Sequence, residues 1–259
     1  MDRRLLDDAA DVRRLTAPGR VDVWIAPVPA GAALPPPLLA LLDDDDLERC
    51  RRLRRAPDRA RFVVGRALLR TALARATGWS PREIRFAYGA AGKPRLEDDT
   101  TGIEFGLAHG GSAAAIALAR ALVGIDIEPV VALEPGAIAV ALSASERATI
   151  EALPVAGRSR RTLRLWTMKE AYAKLVGRGV DLDLVDVDVA ALERRSDLYL
   201  DAFEVTVAGG RFCVGLAVAR PLPGPVSVRL IIEPAVPSHV SGAAEMRSGS
   251  GGEVSLTWA

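Results

Sequence analysis

At 259 residues, 49% apolar and 26% charged, the chain has the composition of a folded globular protein, with room for one large domain or two of about 100–150 residues. A net charge of +1 argues against a protein built mainly for nucleic acid, two distant cysteines (Cys50 and Cys213) against a disulfide framework, and the lack of any apolar run of roughly 18 residues against a membrane span. The opening MDRRLLDDAADVRR has no apolar signal-peptide core, so a cytoplasmic protein is expected.

Residues 1 to 20 are charged and weakly patterned; VDVWIAPV (Val21–Val28) then alternates as a strand before the proline-rich break GAALPPP. From Leu38 to about Thr77 the spacing predicts helix, interrupted near Ala56–Pro57, and arginines crowd it from Arg49 to Arg66. The acidic run Asp43 to Asp46 suits the positive end of a helix. EIRFAYGAAGKPRL reads as strand, turn and the Lys93–Pro94 step. Two short strands, IEFGLAH and AAAIALA, meet at Gly110–Gly111 and precede LVGIDIEPV, ended by Pro129; three strands in a row predict one sheet. Ser143 and Glu146 fit a capping box for a helix to Leu153, and a basic linker leads to a helix over Arg164–Val176. The hairpin of DLYLDAFEVTVAGG and RFCVGLAVA repeats the alternation and Gly-Gly turn of the earlier one, which suggests internal duplication of a helix-then-hairpin unit. The expected organisation is an amino-terminal lobe over 1–122, a carboxy-terminal lobe over 123–235, and a Gly/Ser-rich flexible tail over 236–259.

Asp126 and Glu128 stand two apart on a strand, so both carboxylates leave one face while Ile125 and Ile127 enter the core. A cation between them would relieve their repulsion, and paired oxygens with open positions suit Mg²⁺; a solvated strand edge places the same residues without any ion. In RLWTMKEAYAKLVGRG, the residues Leu165, Met168, Tyr172 and Leu175 recur at helical spacing as a buried stripe. Glu170 and Lys174 lie one turn apart on another face. They are either an ordinary salt bridge worth about a few tenths of a kcal/mol or, with Lys169, a carboxylate between two ammonium groups on phosphate. Gly177 and Gly179 stop that helix and would also let backbone approach a ligand. His109 in AHGGS and Lys93 in GKP each allow a structural reading. Together with the arginine-rich helix they outline a site for a ligand with several phosphates.

In this order and spacing, GKP, FGLAHGG, VGIDIEP and LWTMKEAYAKLVGRG resemble the signature motifs of the 4′-phosphopantetheinyl transferases. Over about Leu38 to Ala219 the chain is similar to the larger, pseudodimeric type that activates nonribosomal peptide and polyketide synthases. The resemblance implies an α/β (α+β) fold of two pseudo-twofold lobes, each with helix packed on a mainly antiparallel sheet, and an active site in the cleft between them. It implies transfer of the phosphopantetheine arm of coenzyme A to a serine of an apo acyl, peptidyl or aryl carrier protein, with release of adenosine 3′,5′-bisphosphate and with Mg²⁺ or Mn²⁺. By the same resemblance Asp126, Glu128 and Glu170 hold the metal, and Glu170 is the base for the serine hydroxyl. Lys174 and Lys169 neutralise the pyrophosphate. Arg49, Lys93, Pro94 and His109, with Arg66 as a helper, bind the nucleotide end and its 3′-phosphate. A monomer is expected, with no nucleic-acid or membrane partner.

Two departures stand out. The family's Asn/Ser-Ile-Ser-His-Ser turn is here Gly106, Leu107, Ala108, His109 and Gly110, without the flanking hydroxyls, and Asp46 stands where some relatives carry a lysine. Two other readings fit the residues. Another Mg²⁺-dependent phosphoryl transferase would share the charges, although no GxxxxGK[ST] loop is present. A carrier or coenzyme A binding module without turnover would explain the missing hydroxyls, but not the retained Asp126, Glu128, Glu170 and Lys174.

Overall fold

In a computed structural model of the chain, the described residues are 19–30, 34–89, 92–97, 99–131, 138–177, 182–219, 226–232, 242–247 and 253–254; Gly179 and Trp258 lie outside them. The amino-terminal unit begins with β1 (Arg20–Pro27) and the single turn α1 (Pro36–Leu39). Helix α2 (Asp44–Arg52) starts at Asp43, whose carboxylate accepts the Asp46 N–H at 2.9 Å. Its first turn is acidic and its last is basic, complementing the helix dipole at both ends. Helix α3 (Ala56–Thr77) has proline in its first turn and stops at Gly78, whose φ of 78° is left-handed. The strands β2 (Phe86–Tyr88), β3 (Pro94–Leu96), β4 (Glu104–Gly110) and β5 (Ala113–Ala119) complete this unit.

The carboxy-terminal unit repeats the plan. β6 (Val123–Pro129) is followed by α4 (Ala144–Glu151), which opens with the expected Ser143–Glu146 capping box. Helix α5 (Val155–Val176) has 22 residues like α3 and likewise ends on a left-handed glycine, Gly177. The short α6 (Val189–Glu193) and the hairpin β7 (Leu198–Val207) and β8 (Gly210–Ala219) follow. β9 (Ser227–Ile232), β10 (Gly242–Arg247) and β11 (Glu253–Val254) are the last described strands, and β9, expected in the carboxy-terminal lobe, returns with β10 to the sheet of the amino-terminal unit, parallel to β1.

The strands form a five-stranded sheet, β10-β9-β1-β5-β4, a four-stranded sheet, β11-β7-β8-β6, and the β2–β3 ribbon. In each large sheet a strand, a 22-residue helix and a hairpin succeed one another, and the last strand closes antiparallel on the first: β5 on β1 and β8 on β6. The duplication read from the two Gly-Gly turns is thus a duplication of topology. The inner faces of the sheets share one core, with Val23, Ile25, Ala115 and Ala117 against Ile125, Ile127, Val214 and Leu216. Helix α3 covers the outer face of the first sheet over Trp24, Ile116 and Leu118, and α5 covers the second over Cys213 and Ala217. The result is four layers, helix–sheet–sheet–helix, with each fully buried Leu, Ile or Val worth about 1.5–3 kcal/mol. Among the described residues no helix is long and apolar enough to cross a membrane.

The structure differs from the sequence reading in three places. The basic stretch before Arg164 is the start of α5, not a linker, because Pro154 stands at the cap and the arginines after it favour helix without an apolar period. β6 leaves β4 and β5 for the second sheet, since both its faces are packed and nothing in its sequence ties it to either partner. Within the residues assigned to a loose tail, 242–247 and 253–254 pair as strands, β10 antiparallel to β9 and β11 parallel to β7. Main-chain pairing at a sheet edge requires no apolar run.

Candidate active site

The site rests on a close approach of helix to sheet. A Cβ on Gly124 of β6 would fall 2.0 Å from the Ala171 carbonyl oxygen of α5, and one on Gly215 of β8 would fall 2.2 Å from that of Thr167. Only glycine lets α5 lie this near. Gly124, Asp126 and Glu128 share one face of β6, so the glycine that admits the helix also brings both carboxylates beneath it. Ile125 and Ile127, on the other face, are fully buried between the sheets, as expected.

From α5, Glu170 and Lys174 reach down one turn apart. Lys174 Nζ lies 2.6 Å from Asp126 Oδ1, and Asp126 is only 4% exposed. Burial raises the pKa of half-buried Glu128, and the charges of Asp126 and Glu170 raise it further. The side chain of Trp166 hydrogen-bonds Glu128 and, with Lys174, opposes the rise. Glu170 is likewise raised, by burial first and then by Asp126, against the pull of Lys174. Three carboxylates therefore share one field with a single ammonium ion among them. The second oxygen of Asp126, Oδ2, is buried without a hydrogen-bond partner. That is costly unless something else meets it. Among the described residues no three His, Cys, Asp or Glu side chains form a ready metal cage. An orphaned carboxylate oxygen in surplus negative charge nevertheless fits a hard divalent cation that completes its shell with water and phosphate oxygens.

Beside this group a cleft of about 230 Å³ opens between the two units, lined by Lys93 and Pro94 of the β2–β3 ribbon, Gly106 and Leu107 of β4, Lys174 of α5 and its capping Gly177. Lys93 donates to the carbonyls of Lys174 (3.0 Å) and Val123 (3.3 Å), tying the ribbon to α5 and β6. Burial lowers its pKa, with Glu104 opposing. The edge of β4 meets β6 at glycine again, since a Cβ on Gly110 would lie 2.0 Å from the Ile127 carbonyl oxygen. His109, next to it, keeps an exposed edge. Its pKa is pushed below 6.5 by burial first and then by the charges of Lys174 and Arg61, with a backbone hydrogen bond and Asp126 opposing.

Arg61 and Trp166 belong to this neighbourhood, and sequence reasoning did not single them out. Arg61 Nε donates to the Gly111 carbonyl at 3.2 Å, holding the turn beside His109. The one signal for Trp166 was its position a turn before Glu170 in LWTMKE.

Two expected ligands are placed elsewhere. Lys169 is fully buried on the far side of α5, ion-paired with Glu146 at 2.5 Å and donating to the carbonyls of Ala141 and Leu184. Five helical residues turn a side chain about 140° away, so Lys169 and Lys174 cannot flank one ligand. Arg66 is 4% exposed and lies 3.0 Å from Asp46, whose other oxygen accepts Arg70 Nε at 2.6 Å; it also donates to Tyr88 Oη at 3.2 Å. Its guanidinium is thus engaged by Asp46 and Tyr88. Duplication explains both. Arg70 and Lys169 hold the same position in the two 22-residue helices, and each neutralises the buried third-position carboxylate of the preceding helix, Asp46 or Glu146. Arg75 likewise corresponds to Lys174, but it stands 5.0 Å over the Trp24 ring where Lys174 finds Asp126. Only the second unit carries the carboxylates. Arg49 remains exposed, its guanidinium 3.8 Å from the Tyr88 ring.

Comparison with known proteins agrees with this arrangement. Residues 122–205 match the model of the 4′-phosphopantetheinyl transferase superfamily, and residues 36–121 match that of the 4′-phosphopantetheinyl transferase N-terminal region. HetI of Nostoc, a 4′-phosphopantetheinyl transferase, is 32% identical over 176 residues, covering 66% of this chain and 73% of its own. Sfp of Bacillus subtilis, of the same description, is 25% identical over 180 residues, 64% of this chain and 79% of its own. A further 4′-phosphopantetheinyl transferase of Bacillus subtilis is 31% identical over 57% of this chain, and the match spans 65% of that protein's length. The matched family regions meet at residue 122, where one unit gives way to the other, and the chain belongs to the 4′-phosphopantetheinyl transferase superfamily.

Proposed function

We propose that the chain transfers the 4′-phosphopantetheine arm of coenzyme A to a serine of an apo acyl, peptidyl or aryl carrier protein, releasing adenosine 3′,5′-bisphosphate. The observation that carries this reading is the group of Asp126, Glu128, Glu170 and Lys174, of which Lys174 also lines a cleft together with Lys93, within a member of this family. Displacement at phosphorus requires alignment and charge neutralisation more than covalent help, and this group is built for that. Lys174 faces the pyrophosphate from Asp126, and Lys93 and His109 line the route of the nucleotide. Asp126, Glu128 and Glu170 would hold Mg²⁺ or Mn²⁺, which would supply charge neutralisation to the pyrophosphate. Glu170, with its raised pKa, takes the proton as the serine Oγ bonds to the phosphorus that carries the pantetheine arm. The bond from that phosphorus to the nucleotide phosphate oxygen breaks. One chain supplies both units, so a monomer suffices.

The test is intact-mass measurement of an apo carrier protein incubated with the chain, coenzyme A and Mg²⁺. A gain of one phosphopantetheine arm is expected. An unchanged carrier with intact coenzyme A binding would overturn the transferase reading in favour of a binding module. A panel of acyl, peptidyl and aryl carriers then orders the preference.

A further inference from the structure

On β2, Phe86 and Tyr88 point the same way, and arginines layer around them. Arg66 and Arg70 lie 4.8 and 5.2 Å from the Phe86 ring, and the Tyr88 hydroxyl accepts Arg66 Nη2 at 3.2 Å. Arg66 and Arg70 are in turn clamped by buried Asp46. The Tyr88 ring is therefore held at its hydroxyl, and Arg49 lies over its face at 3.8 Å. The neighbours Arg51 and Arg52 pair with Glu48, whereas among the described residues no carboxylate pairs with exposed Arg49. A stacked guanidinium keeps its N–H groups in its own plane, parallel to the ring and free to fork onto an anion, and its rotamer freedom is already reduced. Tyr88 also pairs across the ribbon with Pro94, which lines the cleft beside Lys93, so one hairpin carries both the Arg49 platform and the cleft wall.

We propose that Tyr88 is a positioning residue whose ring holds the Arg49 guanidinium edge-on to the 3′-phosphate of the coenzyme A donor. The proposal rests on the transferase reading. Calorimetry on the full chain with coenzyme A and dephospho-coenzyme A, alongside kcat and KM on an apo carrier, tests it. Tyr88→Leu is expected to weaken coenzyme A about fivefold, with kcat and dephospho-coenzyme A affinity unchanged. Tyr88→Phe restores the affinity, and Arg49→Ala/Tyr88→Leu binds no more weakly than Arg49→Ala. Arg49→Lys, which keeps the charge on an exposed site but loses the planar stack, weakens coenzyme A to the same degree even if Tyr88→Leu fails to fold. Equal losses on both donors, a fall in kcat, or wild-type affinity in Arg49→Lys would overturn the role of Tyr88. A wild-type chain that binds neither donor would overturn the transferase reading and this role with it, an outcome distinct from a wild type that prefers coenzyme A while its Tyr88 variants do too.

Discussion

Lys169 and Lys174 serve opposite sides of α5: one closes on buried Glu146 at 2.5 Å, the other on Asp126 at 2.6 Å beside the cleft. Their variants should therefore separate folding from turnover. Lys169→Met leaves the Glu146 charge buried without a counter-charge and is expected to cost about 3–5 kcal/mol of stability. The protein that remains folded should keep its kcat. Lys174→Ala also removes the counter-charge of buried Asp126 and should lower the melting temperature too, but in its folded form kcat/KM should fall about 100-fold or more. Thermal denaturation and steady-state kinetics on the two variants check this, and Lys169→Met/Glu146→Gln, whose amide oxygen can still accept a backbone N–H, should recover part of the lost stability.

Glu170→Gln should trade activity for stability. Burial and the Asp126 charge raise the folded pKa of Glu170 above its ordinary 4.5, so its favourable contribution is complete below that value and lost as pH rises through the folded value. At pH 7 the ionised carboxylate is thus a cost to the free protein, which the amide removes. The variant should melt higher than wild type without divalent ions. Mg²⁺ should raise the melting temperature of wild type but not of the variant, and transfer should fall about 100-fold or more. A variant with near-normal turnover would remove Glu170 from both metal and proton-transfer roles.

His109→Ala should raise KM for coenzyme A and change that for dephospho-coenzyme A much less, since the imidazole sits with Arg61 at the turn expected to meet the nucleotide end. Equal losses on the two donors would remove His109 from the 3′-phosphate.

Much of this site was legible because it obeys a period. Alternation alone puts Asp126 and Glu128 on one face, and the helical repeat of Leu165, Met168 and Leu175 turns Glu170 and Lys174 away from the core they fill. Lys169 misled because charge type says nothing about direction. Its buried partner, Glu146, is 23 positions away and was read only as half of a capping box. Arg61 and Trp166 joined the site through tertiary contacts that no local pattern announces. Gly124 and Gly215 were invisible for another reason. Their function is the side chain they lack, and a glycine in a strand reads the same whether it loosens the strand or admits a helix.

The glycines give a sharp contrast. Gly124→Ala or Gly215→Ala would place a methyl group 2.0–2.2 Å from an α5 carbonyl oxygen, so helix and sheet must part, at a cost of about 3 kcal/mol or more. Activity should fall further than stability, because the same shift separates Glu170 and Lys174 from Asp126. Gly157→Ala, in the first turn of α5 with open space around it, should instead stabilise by about 0.5–1 kcal/mol and leave turnover alone. Denaturant melts and kcat measurements on the three proteins distinguish the close approach from a general intolerance of substitution at glycine.

Acid should loosen the amino-terminal unit at Asp43. Burial acts to raise its pKa, but the Asp46 N–H, Arg70 and Arg85 outweigh burial and hold it below its ordinary 3.8. A folded value below the unfolded one makes the contribution complete above pH 3.8 and lost as pH falls through the folded value. Asp43→Asn removes the charge but can still cap α2. It should therefore melt below wild type at pH 7 by the worth of the lost ion pairs, and the two curves should converge below pH 3.8, where wild type also loses the charge. Melting temperatures of both proteins across pH 2–7 test this, and the absence of a gap at pH 7 would mean that Asp43 stabilises the helix through its cap alone.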